Sequence, residues 1–98
     1  MTLSDFQISL EQPNPPKNLS QNLKALWYDG KENWDKAHNL ADESPHAGAD
    51  WIHAYLHRKE GDNWNANYWY RKARKTMPKY SLTEEWENLV TYFLEKES

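Results

Sequence analysis

Cysteine is absent from this 98-residue chain. Its absence excludes disulfide bonds, thiolate metal ligands and a cysteine nucleophile. Long hydrophobic runs are also missing, since no stretch approaches the ~20 apolar residues that a membrane-spanning helix needs. The first residues lack the basic and apolar regions of a secretory signal peptide. We therefore expect a cytoplasmic protein with no membrane segment.

The chain has little net charge and no recognisable catalytic motif. Its 12 basic and 15 acidic residues leave a formal charge of -3 at pH 7, which gives no general attraction to nucleic acid or to anionic lipid. A phosphate-binding loop, a dinucleotide fingerprint, a nucleophile elbow and a paired-carboxylate motif are all absent. The sequence thus favours a protein without enzyme activity and without a cofactor, and it disfavours nucleic acid as a partner.

Aromatic residues are abundant and indicate a folded core. They make up 14% of the chain and include six tryptophans, against 38% hydrophobic and 28% charged residues in total. Because a buried Trp or Tyr removes about 150–250 Å² from water, a few large rings can replace many aliphatic side chains. The length suits one domain with one core. We predict a single domain over residues 1–98.

The N-terminal segment, residues 1–17, is predicted to be an extended arm. It contains three of the five prolines, which disfavour a regular helix. Phe6, Ile8 and Leu10 alternate along it, and such alternation would let an extended segment lay one face along the helices.

Helical periodicity dominates the rest of the chain. Apolar residues recur at three- and four-residue spacing over residues 18–43 and again over residues 44–78, and a glycine interrupts each pattern. Each segment therefore predicts a helix-turn-helix hairpin. A capping box at Ser81 and Glu84 starts a C-terminal helix over residues 81–97. The predicted fold is all-α, a compact bundle of about five helices in which the C-terminal helix caps two stacked hairpins.

The second hairpin carries small, turn-forming and aromatic residues at regular spacing. They are Ala54, Gly61, Ala66, Tyr70, Ala73 and Pro78. Small residues let two helices approach closely, glycine makes the turn, and proline ends the unit. This pattern resembles a tetratricopeptide repeat, and the string GDNWNANYWYRKA is similar to the second helix of a Sel1-type repeat. The wider segment resembles small bacterial proteins of unknown function.

The resemblance implies a protein-interaction module. Such repeats bind extended peptides or helices on a concave surface between helix pairs, here lined by the first helix of each predicted hairpin. The expected binding residues are His53, Tyr55, His57, Arg58 and Glu60. Because two hairpins are fewer than the three repeats that usually bury a solenoid core, self-association is an alternative to a protein partner.

The first helix of the second predicted hairpin also supports an alternative function. Asp50, His53, His57 and Glu60 lie at i, i+3, i+7 and i+10 and share one face. Two imidazoles four residues apart can ligate one divalent metal ion with carboxylates beside them, and His38 could supply a further ligand. The alternative prediction is a small metal- or anion-binding protein whose metal ligands are Asp50, His53, His57 and His38. Without a ligand, the same residues would form a solvated polar stripe.

Five basic residues lie near the C-terminal end of the second predicted hairpin. We call them the basic cluster: Arg71, Lys72, Arg74, Lys75 and Lys79. A phosphate-binding patch is one interpretation. The sequence favours another, in which these cations offset the helix macrodipole and are neutralised by Glu84, Glu85 and Glu87. Trp34 and Trp64 follow the two turns and are the tryptophans best placed to form a partner surface.

Overall fold

The computed structural model describes residues 1–97, which form six helices. They are α1 (Leu3–Ser9), α2 (Gln21–Gly30), α3 (Trp34–Asp42), α4 (Ala49–Glu60), α5 (Asn63–Lys72) and α6 (Leu82–Glu97). These residues contain no strand, so the all-α prediction is confirmed, with one helix more than expected. No helix in this part of the chain reaches the length and apolarity that crossing a membrane demands.

The additional helix, α1, lies where we predicted an extended arm, and that prediction is wrong. Thr2 and Asp5 form a capping box, in which each side chain accepts the other residue's backbone N–H at 3.1 Å. Phe6 is fully buried, whereas Ile8 is 62% exposed. The apolar residues therefore follow the helical period, and the prolines begin only after α1 has ended.

Two hairpins form the centre of the fold. α2 packs on α3, α4 packs on α5, and α3 contacts α4 so that the hairpins stack. The second turn is made by Gly61, whose φ of 89° lies in the left-handed region. Asp62 then accepts the backbone N–H of Asn65 and caps α5. Local turn chemistry thus closes the second hairpin.

The C-terminal helix, α6, lies across the hairpins and contacts α1, α2 and α4. Its buried apolar side chains are Trp86, Leu89, Val90, Phe93 and Leu94. Every residue of α4 from Trp51 to His57 is buried, including His53 and His57. The expectation of a solvated polar stripe on α4 is therefore wrong, because α2, α3, α5 and α6 all pack against this helix.

A fully buried carboxylate, Glu85, joins α6 to the second hairpin. It accepts hydrogen bonds from the Tyr70 hydroxyl at 2.6 Å and from the Trp51 indole N–H at 3.1 Å, and it pairs with the Arg58 guanidinium at 2.8 Å. Burial and the neighbouring carboxylate raise the pKa of Tyr70, so its hydroxyl stays a donor. Both carboxylate oxygens therefore have partners despite their burial.

A second buried carboxylate, Asp29, joins α2 to α4. It accepts the Tyr55 hydroxyl at 2.6 Å and pairs with the Lys59 ammonium at 2.9 Å. Burial and the charge of Asp29 raise the pKa of Tyr55, so this phenol also remains a donor. Two buried acidic groups thus hold α4 against its neighbours.

We expect Glu85→Gln to lower the free energy of unfolding by about 3 kcal/mol, because the amide leaves the Arg58 guanidinium without its anionic partner. Urea denaturation measures the change. Glu84→Gln is the matched control, since Glu84 is exposed and should alter the free energy of unfolding by less than about 0.5 kcal/mol. Equal effects of the two substitutions would contradict the role assigned to Glu85.

The two left-handed glycines, Gly48 and Gly61, predict different costs of substitution. A Cβ on Gly48 would lie 2.8 Å from the Phe93 ring, whereas a Cβ on Gly61 would meet nothing within 4 Å. Both alanine variants incur the left-handed backbone cost of about 1–2 kcal/mol. Gly48→Ala adds overpacking of the core, which typically costs about 1–3 kcal/mol. Thermal unfolding should therefore give the lower Tm for Gly48→Ala, and the opposite order would refute this explanation.

Candidate functional site

The expected binding residues lie on two different sides of α4. Tyr55 donates to the buried carboxylate of α2, and Arg58 donates to the buried carboxylate of α6. Tyr55 is only 2% exposed and is closed to a partner. The prediction of a concave binding surface at these two residues is wrong, because α6 packs against both α2 and α4 on that side.

Three histidines meet on the opposite side of α4. Two belong to α4 itself and the third belongs to α3. His38 of α3 lies 4.8 Å from His53 and 5.2 Å from His57, measured between ring centroids, and the two α4 rings stack at 6.0 Å. Trp34 stacks on His38 at 4.9 Å, and Trp69 of α5 stacks on His53 at 4.1 Å. We call these five residues the histidine cluster. It joins α3, α4 and α5.

Burial determines the protonation state of His53. This residue is 3% exposed, and desolvation, reinforced by His38, lowers its pKa to about 4. The carboxylate of Asp42, 3.4 Å away, acts in the opposite direction without compensating. At neutral pH, His53 is therefore an uncharged ring that packs between Trp69 and the other histidines.

The predicted metal-ligand set is not assembled into one group of ligand atoms. His38, His53 and His57 meet through their ring faces and edges. Asp50 instead lines a separate cleft of about 300 Å³ together with Lys72. Asp50 and the three histidines therefore do not form a common coordination site.

A different trio brings metal-ligating atoms together at the turn between α4 and α5. Within residues 1–97, three such atoms come within 4.8 Å of one another only in His57, Glu60 and Asp62. His57 and Glu60 were expected to bind a ligand, whereas Asp62 was not among the expected ligands. The sequence could have indicated Asp62 as a ligand, because the turn at Gly61 separates its carboxylate from that of Glu60 by a single residue.

The outer face of α5 presents aromatic and basic side chains to solvent. Trp64 is 75% exposed, and its ring lies nearly parallel to that of Tyr68 at a centroid distance of 6.4 Å. The Lys72 ammonium lies 5.5 Å from the Tyr68 ring, and Arg71 is also exposed. We call Trp64, Tyr68, Arg71 and Lys72 the α5 surface. Trp34, by contrast, is half-buried and donates its indole N–H to a backbone carbonyl of α4.

The basic cluster has no anionic partner in the part of the chain that the structure describes, where no carboxylate lies within 4.0 Å of its side chains. Glu85 is paired with Arg58 in the core, and Glu87 accepts a hydrogen bond from Gln7 of α1. None of Glu84, Glu85 and Glu87 forms an ion pair with the basic cluster, so the predicted neutralisation does not take the form of direct pairing.

A cleft of about 710 Å³ lies beside the segment that joins α5 to α6. Trp51 and Tyr92 line its walls, and the Lys75 ammonium lies 4.2 Å from the Trp51 ring. Tyr70 and Glu85 form its floor and are hydrogen-bonded to each other. The buried floor therefore offers no free acid or base for catalysis.

The neutral state of His53 predicts a pH-dependent stability. Its ordinary pKa of 6.5 applies to the unfolded chain, whereas its folded pKa is about 4, so the unfolded chain binds the proton more tightly. The stabilisation is present above pH 6.5 and is lost as the pH falls towards 4, by up to about 3 kcal/mol. Urea denaturation between pH 7 and pH 5, in buffer containing EDTA, measures the slope.

Two histidine variants test this assignment. His53→Phe keeps an aromatic ring in the stack and removes the titrating group, so it should flatten the dependence between pH 6.5 and pH 5. His46→Ala removes an exposed histidine outside the cluster and should leave the slope unchanged. An equal flattening in both variants would show that His53 is not the responsible group.

Comparisons of the chain with protein-family models, with curated protein sequences and with solved structures gave no match.

Proposed function

We propose that this chain is a cytoplasmic protein-interaction module. Its α5 surface binds a segment of a partner protein that combines acidic residues with a few apolar ones. The observation that carries the proposal is the 75% exposure of Trp64 beside cations that have no anionic partner. Tryptophan and arginine are enriched at the hot spots of protein interfaces. The resemblance of the second hairpin to tetratricopeptide and Sel1-type repeats supports the same role.

The aromatic side chains of this surface lie beside one another on α5. Trp64 and Tyr68 lie four residues apart on one face of α5, with nearly parallel rings. Lys72 continues the row, and its ammonium lies 5.5 Å from the Tyr68 ring and 4.8 Å from the Trp69 ring. Because side chains that are already held in place lose little conformational entropy on binding, the α5 surface suits specific recognition.

The charge of this region indicates the chemistry of the partner. Residues 63–80 contain the five residues of the basic cluster and no acidic residue, although the whole chain has a formal charge of -3. Such a patch attracts an acidic segment and repels a basic one. A second copy of the chain would present the same positive surface, so a symmetric contact between two α5 surfaces is disfavoured. An acidic protein segment is therefore the occupant we propose.

Single-stranded nucleic acid is the competing ligand for such a surface, because exposed rings and cations also bind bases and phosphates. Domains that bind nucleic acid usually carry a basic footprint over the domain as a whole. This chain has an excess of acidic residues instead. The charge distribution therefore favours a protein ligand. The binding experiment compares the affinity for an oligonucleotide with the affinity for the peptide.

We expect a fluorescein-labelled peptide that combines glutamates with a few leucines to bind saturably in an anisotropy titration, and to bind more weakly at high salt because the charges are exposed. Trp64→Ala should weaken binding by about 30-fold, since loss of a hot-spot residue costs about 2 kcal/mol or more. Lys72→Glu should weaken binding more strongly at low salt than at high salt.

Tyr92→Ala is the matched control for Trp64→Ala, because Tyr92 is an aromatic residue on α6 that is 40% exposed and lies outside the α5 surface. This variant should bind the peptide as the wild type does. An equal loss of affinity in both variants would overturn the proposal, as would tighter binding of an oligothymidine than of the peptide.

A further inference from the structure

We infer that a divalent transition-metal ion of the zinc class binds at the corner between α4 and α5, held by His57, Glu60 and Asp62. Each of these side chains places one ligand atom within 4.8 Å of the other two. Imidazole nitrogen and carboxylate oxygen together suit zinc and its chemical neighbours nickel and cobalt. The site is separate from the α5 surface and does not rest on the function proposed there.

The contact between His57 and Glu60 shows that two of the ligands are already aligned. His57 Nδ1 lies 2.6 Å from Glu60 Oε1, which is a hydrogen-bond distance. Zinc–ligand distances of about 2.0–2.2 Å place two ligands of a tetrahedral ion about 3.4 Å apart. An opening of about 0.8 Å therefore lets the metal ion take the place of the Nδ1 proton, and the neutral ring then carries its one proton on Nε2.

Neighbouring side chains fix the orientation of the His57 ring. The residue is 8% exposed, and its ring makes edge contacts with Trp34 at 5.9 Å and with His38 at 5.2 Å between centroids. A ligand held by its surroundings does not have to be ordered when the metal ion binds.

Asp62 is held in a similar way by Asn65. Asp62 Oδ1 accepts the backbone N–H of Asn65 at 3.1 Å, and Oδ2 accepts its side-chain amide at 3.2 Å. Each carboxylate oxygen has two lone pairs, so one on each oxygen remains for a metal ion. Hydrogen bonds of this kind commonly orient the carboxylates that ligate metals.

The turn at Gly61 brings Glu60 and Asp62 to one point and leaves the point accessible. Its left-handed φ of 89° reverses the chain between the two carboxylates, and no heavy atom beyond its two chain neighbours lies within 4 Å of the position that a Cβ would take there. The C-terminal end of α4 adds the negative end of a helix dipole, which favours a cation. Three protein ligands and an open side match a zinc site whose fourth ligand is water.

Zinc chloride added to the metal-free protein is the probe, with isothermal titration calorimetry and Tm as readouts. We expect one equivalent to bind and Tm to rise. Asp62→Asn should weaken zinc binding at least about 10-fold, while its Tm without metal stays near that of the wild type, because asparagine caps a helix as well as aspartate does. Glu60→Gln changes an exposed residue and should weaken zinc binding by a similar factor.

Two controls distinguish this corner from the histidine cluster. Asp42→Asn removes the carboxylate beside His53, and His46→Ala removes an exposed histidine, so both variants should keep the wild-type affinity for zinc. Loss of zinc binding in Asp42→Asn but not in Asp62→Asn would overturn the inference, as would the absence of saturable one-to-one binding. Trp64→Ala should retain zinc binding, which separates a failure of this inference from a failure of the proposed function.

Discussion

The buried carboxylate of Glu85 is the constraint on which the rest of the fold depends. Removing a carboxylate from water costs several kcal/mol unless the charge is paired and hydrogen-bonded, and Glu85 is fully buried. Its partners Trp51, Arg58 and Tyr70 come from α4 and α5. The charge is therefore satisfied in only one position of α6, and in that position α6 packs against α2 and α4.

This position of α6 covers the side of α4 that carries Tyr55 and Arg58. Tyr55 and Arg58 consequently join helices to one another rather than to a ligand. The other side of α4 is covered by α3 and α5, where His53 packs as an uncharged ring against Trp69. With both sides of the central helix occupied, α4 offers a ligand only its C-terminal turn, and the outer face of α5 is a separate accessible surface.

Residue spacing predicted the helical framework because helix period and capping are local properties. The exception is α1, since Phe6 fits an alternating pattern as well as a helical one. The site was less predictable because it depends on how helices pack. Spacing places His53 and His57 on one face of α4, but only the packing of α3 puts His38 opposite them. The helical period places Glu85 on the apolar face of α6, between Leu82 and Leu89, but only the packing of α4 and α5 supplies the donors that allow a carboxylate to be buried there.

The exposure of Trp64 is a consequence of the same buried carboxylate. Ala66 and Tyr70 form the buried face of α5, and Trp64 and Tyr68 each precede one of them by two residues, which is about 200° around the helix. Rotating α5 to bury Trp64 would withdraw the Tyr70 hydroxyl from Glu85 and deprive a buried carboxylate of a donor, a costly loss. The fold therefore maintains an aromatic row in water that hydrophobic burial alone would remove. Because exposed apolar patches on folded domains commonly mark interaction sites, α5 is the helix at which a partner is expected to bind.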